Sequence, residues 1–141
     1  MASKLISVLD CVSQASMEIG IAQKPLDTLV NSLDQDIAQM GALLYAVADE
    51  VLSNEPYRTT LGDGNWLLTQ DLEPIDRFTQ NTDLIAFNGR LAITGVKWRF
   101  LKAKGLEFGE EMRDFTARLN KLGAFTNGEV IDLYAAEGRI Q

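Results

Sequence analysis

SLDQDIAQMGALLYAVADEVL, residues 32–52, is the stretch that decides the fold. Ser32 followed three residues later by Gln35 forms a capping-box pattern. Leu33, Ile37, Met40, Leu44, Val47 and Val51 then recur at spacings of three and four. A helix turns once in about 3.6 residues, so this spacing stacks all six on one face. The pattern predicts an amphipathic helix from Leu33 to Ser53 that starts at a Ser32 cap. Gly41 inside it costs about 1 kcal/mol relative to alanine, which points to the close approach of another backbone, with a neighbouring helix as the candidate.

On the N-terminal side, Leu5, Val8, Leu9, Val12, Ala15 and Ile19 share helical spacing. They predict a first helix over Lys4 to Ile19, capped by Ser3 and ended by Gly20. Gln23 to Asn31, with Pro25 and no repeat, reads as a connector. On the C-terminal side, Asn54 to Asp83 is broken by Pro56, Gly62, Gly64 and Pro74 into short apolar pieces. Tyr57 to Leu61 and Trp66 to Thr69 read as arms of a hairpin around Gly62-Asp63-Gly64-Asn65. An insertion of this length between helices is of the kind that carries binding or assembly contacts.

Two more helices follow. Leu84, Phe87, Leu91, Trp98 and Leu101 share a face of one that Gly105 ends, and Gly95 on that face leaves room for close packing. Phe108, Met112, Phe115, Leu119 and Leu122 form the stripe of the other, stopped at Gly123. Its first turns hold Glu107, Glu110 and Glu111 and its last Arg118 and Lys121, the favourable sense for the helix dipole. The expected core joins the helices through Met40, Leu44, Val47, Leu91, Trp98, Met112, Phe115 and Leu119.

The fold class expected is therefore mostly α, a bundle of about four helices with a short β-hairpin or irregular insertion at 54–83, forming one helical domain over 1–123. Residues 124–141 read as an extended C-terminal arm. Val130, Ile131, Leu133 and Tyr134 make one compact apolar run there that its own segment cannot bury, so the reading assigns them to a contact on another surface.

The chain has 141 residues, 46% of them hydrophobic and 23% charged, which suits one globular domain. Its sequence holds no apolar run near the roughly 20 residues a membrane helix needs and no signal-peptide pattern. A soluble protein made in a cytoplasm is expected, with no membrane partner. There is no histidine and one cysteine, which removes the commonest general base, the commonest zinc ligand and thiolate clusters. Cys11, among Leu5, Val8, Val12 and Ala15, reads as an inert residue at the core edge.

Asp34 with Asp36, Asp49 with Glu50 and Glu110 with Glu111 are dense acidic spots. Neighbours this close on a helix point in different directions and do not converge as a catalytic carboxylate pair must. Gly62-Asp63-Gly64 lacks the lysine and the strand-turn-helix context of a phosphate loop. No catalytic residue, metal ligand or cofactor is assigned. Lys97, Arg99, Lys102 and Lys104 form a basic cluster interleaved with Trp98 and Phe100. It reads as a solvated helix face whose cations are neutralised by Glu107, Glu110 and Glu111. The net charge of −7 argues against general nucleic-acid binding.

SLDQDIAQMGALLYAVADEVL resembles the second helix of the head-to-tail adaptor proteins of tailed bacteriophages, the group that includes the tail accessory factor of short-tailed phages. ITGVKWRFLKAKGLEFGEEMRDFTARL, residues 93–119, is similar to that family's closing helical hairpin, with Trp98 and Arg99 before the turn at Gly105 and Phe108 and Glu110 after it. The two likenesses, with the order of elements around them, span somewhat more than half the chain, and the insertion between Tyr57 and Asp83 is shorter than the family's. The resemblance implies a non-enzymatic virion protein of the neck. It would form a homo-oligomeric ring of twelve copies that docks on the portal protein and meets tail or nozzle proteins, with DNA passing through the channel without specific binding. It also implies that the arm carrying Val130 to Tyr134 lies on the portal or on a neighbouring subunit. A small helical regulatory protein of a bacterial host and a carboxylate-based cell-wall hydrolase are the alternatives that composition leaves open.

Overall fold

The structure, a computed structural model, describes residues 5–54, 57–58 and 65–121. The chain enters through a two-residue strand β1 (Ile6–Ser7) and passes directly into helix α1 (Val8–Glu18). Helix α2 (Gln35–Leu52) follows, then the strands β2 (Leu67–Leu68) and β3 (Leu84–Ile85) and helix α3 (Gly89–Ala103). Residues 109–121 are helical and are designated α4. The fold is mostly α with a small antiparallel sheet of order β1-β3-β2.

The start of α1 departs from the expected Lys4. Ser7 is the cap: its backbone is extended and its side chain accepts from the Asp10 amide at 3.0 Å. A capping residue has β-region dihedrals, so Ser7 serves the strand and the helix together, with Ile6 opposite Ile85 and Ser7 opposite Leu84. Leu5 and Ile6 are thereby removed from the helical stripe. The other end follows expectation. Gly20 sits at φ +82°, and the amides of Gly20 and Ile21 bond back to the Met17 and Ser16 carbonyls in the two-bond helix stop that favours glycine. Gly105, at φ +73°, closes α3 in the same way through Gly105 to Lys102 and Leu106 to Leu101.

Helix α2 begins two residues later than the capping-box reading. Asp34, not Ser32, accepts the amides of Asp36 and Ile37, while the Ser32 hydroxyl accepts from the Asp34 amide in the preceding turn. Leu33 is left outside the helix and 99% exposed. The rest of the stripe, from Ile37 through Val51, is buried.

Helix α3 is the centre of the molecule and packs on both α1 and α2. Eight of its residues are buried, and they include Ala92, Thr94 and Val96 as well as Leu91 and Trp98. A helix covered on two sides loses the single-stripe pattern. Its N-cap is Asn88, accepting from the Leu91 amide, so Leu84 and Phe87 precede the helix. Leu84 is a strand residue; Phe87 is still core, 1% exposed. Phe115 of α4 completes the core at 1%, whereas Met112 is 37% exposed and falls outside it.

The insertion is held by side chains bonding to backbone. Asn81 accepts from the amides of Leu29 and Val30, tying it to the connector between α1 and α2, and the buried Asp83 carboxylate accepts from Thr79 and Gln80. The described parts of the expected hairpin take other roles. Tyr57 and Arg58 are helical, and β2 within the second arm pairs with β3, Leu67 opposite Ile85. Residues 59–64 and the arm 124–141 lie outside the described residues.

Candidate interaction surface

Three of the four cations in the basic cluster are paired, but with carboxylates other than the expected glutamates. Lys97 bonds to Glu18 of α1 at 2.7 Å, Arg99 to Glu50 of α2 at 2.6 Å, and Lys104 to Asp36 of α2 at 3.0 Å. Arg99 and Lys102 lie over the Trp98 ring, Lys104 over Phe100. A cation engaged by a carboxylate and an aromatic face is poorly placed to neutralise a phosphate. Glu18 is gripped hardest, by Arg90 at 2.6 Å as well as Lys97, and its carboxyl is held down to about 2, chiefly by the Arg90 hydrogen bond.

The other candidate groups are dispersed. Asp34 is a helix cap, Asp36 and Glu50 are in ion pairs, and Asp49 and Glu110 are exposed. The thiol of Cys11 is fully buried and is pushed up to about 12 by that burial, with a smaller push from Asp10. Among the described residues no group of three or more cysteines and carboxylates is placed to hold a metal ion. Gly62-Asp63-Gly64 and the contact residues Val130, Ile131, Leu133 and Tyr134 lie outside the described residues.

Two features were missed by sequence reading. The first is an open groove of about 330 Å³ between the connector and α2. Leu29, Ala38, Gly41 and Ala42 make its apolar side, and Tyr45, Arg77 and Phe78 its other. The Phe78 ring stacks on Tyr45 at 5.3 Å, and the Arg77 guanidinium covers the Tyr45 face at 4.6 Å. Gly41 is what brings the connector in: a Cβ there would lie 2.9 Å from Leu29 Cδ1. The approach that glycine signalled is therefore a loop side chain, not a second backbone.

The second feature is the tip after β2. Thr69 organises it, its amide donating to the Glu73 carbonyl and its hydroxyl accepting from Asp71 and Glu73. At the tip Leu72 has φ +69° and is 60% exposed, flanked by exposed Asp71 and Glu73. Leu33 and Leu106, 99% and 54% exposed, are further apolar side chains at the surface.

No protein-family model, curated protein or solved structure matches this chain. Taken alone, the fold and surface define a mostly helical domain with a small antiparallel sheet, an aromatic-walled groove and an apolar tip between carboxylates.

Proposed function

We propose that this chain is a structural virion protein, a head-to-tail adaptor whose copies form a ring on the portal of a tailed bacteriophage. The observation that carries the reading is where the family-like stretches fall. Residues 35–52 of the first are helix α2, and the second spans most of α3, the glycine stop at Gly105 and most of α4. These helices pack on one another, with Val47 and Phe115 against Gly95. Internal pairing of Lys97, Arg99 and Lys104 supports a channel wall that DNA passes without specific binding. In this reading the arm with Val130, Ile131, Leu133 and Tyr134 contacts the portal or a neighbouring subunit.

Electron microscopy of the purified protein with and without portal rings tests the proposal. The expected result is a closed ring seated on the portal. A small oligomer that ignores the portal would transfer the chain to the class of helical regulatory proteins.

A further inference from the structure

We propose that copies of this chain join through Leu72 of one copy seated in the groove beside Arg77 of the next. The inference rests on the ring reading and names its subunit contact. Leu72 is a β-carbon residue in the left-handed region, where only glycine, asparagine and aspartate are at ease. The Leu72 amide donates to the Thr69 carbonyl at 2.8 Å within the turn, but its side chain points out and is 60% exposed, so no burial within the chain offsets the left-handed backbone. Strain of this kind, held by a rigid turn, is found where a side chain is being presented. Thr69 supplies the rigidity with four hydrogen bonds across the tip.

The groove matches the tip in shape and charge. Ala38 and Ala42 on its floor have no side chain longer than a methyl group, Leu29 and Phe78 close over Gly41 between them, and Asn31 and Ser32 add polar groups to the lining. Asp71 and Glu73 flank the leucine, and among the described residues no carboxylate lies in ion-pair range of Arg77 at the groove. An apolar tip between two acids therefore meets a slot of mixed lining with a small-residue floor beside a cation. Tip and slot are different surfaces, so the same contact can close reciprocally into a two-fold pair or head to tail into a ring, and the ring reading takes the second. A second copy is the occupant committed to here, since this chain carries the complementary tip.

The test uses sedimentation of the full chain over a wide concentration range. The wild type should self-associate, and less so at high salt. Leu72→Asn suits the left-handed backbone, so it should melt no lower than wild type yet remain a monomer. Ala42→Trp, at an exposed position, should fill the groove and also remain a monomer. Each of these variants retains the half that the other has lost, so their mixture should give a capped one-to-one pair. Arg77→Glu should weaken association about tenfold, and adding Asp71→Lys and Glu73→Lys to the same chain should restore it. A wild type that stays monomeric, or a Leu72→Asn variant that associates undiminished, overturns the contact while leaving portal docking to its own test. A silent mixture of two folded, monomeric variants also overturns it. Association with all these properties in a protein that ignores the portal would keep the contact and sink the phage reading.

Discussion

At the scale of single residues, space decides more than type. Gly95 and Gly41 both interrupt helices whose propensity would favour alanine by about 1 kcal/mol, yet they answer to different neighbours. A Cβ at Gly95 would lie 2.5 Å from Val47 Cγ1 and 3.0 Å from Phe115 Cε1, atoms locked in the core. Gly95→Ala should lower stability by about 1–2 kcal/mol, overpacking outweighing propensity. At Gly41 the nearest atom is the end of the Leu29 side chain, which can rotate, so Gly41→Ala should cost less; thermal unfolding of the two variants checks the order. Trp98, 7% exposed between Phe108 and Phe115, should cost about 3–5 kcal/mol on truncation to alanine. Its indole Nε1 is buried without a hydrogen-bond partner among the described residues. Trp98→Phe should therefore retain much of the stability that Trp98→Ala loses, and a near-unchanged melting temperature for the alanine variant would remove Trp98 from the core.

At the scale of elements, the outer helices are tied to α3 by charge as well as by apolar packing. Glu18 of α1 receives Arg90 and Lys97 of α3, and its carboxyl is depressed from the ordinary 4.5 to about 2. A depressed carboxylate contributes stability that is fully present above its unfolded value and is lost as pH falls through its folded one. The tie between α1 and α3 should thus weaken from about pH 4.5 down to about pH 2. Glu18→Gln should lower stability at pH 7 by about 1 kcal/mol, since the groups are partly exposed. It should also flatten the acid limb of a denaturation curve measured against pH. An acid limb as steep as that of the wild type would mean that other carboxylates dominate. The cap shifts belong to this scale too. Ser32 and Asp34 are both competent caps two residues apart, and the helix starts where Ile37 reaches the core while Leu33 stays in water.

At the scale of the whole molecule, the proposed adaptor role predicts that removing Gly128 to Gln141 leaves a folded, soluble monomer that no longer holds a portal ring. Four large apolar side chains in that stretch, each worth about 1.5–3 kcal/mol when buried, act together around a closed ring. Undiminished assembly of the truncated chain would make the arm dispensable. Much of the scaffold was legible in the sequence. The helical periodicity of Ile37 to Val51 and the glycine stops at Gly20 and Gly105 depend on neighbours three or four residues away, or on residue type alone. The sheet, the cap at Ser7, the buried face of Thr94, the ion-pair partners of α3, the groove under Leu29 and the tip at Leu72 were not legible. Each of these joins segments far apart in the chain or depends on a turn whose backbone no local pattern specifies. Local spacing determined which segments are helical, because a helix satisfies its own hydrogen bonds. Tertiary structure alone decided which faces are covered and which stay open, because burial is a property of what packs against a residue and not of the residue itself.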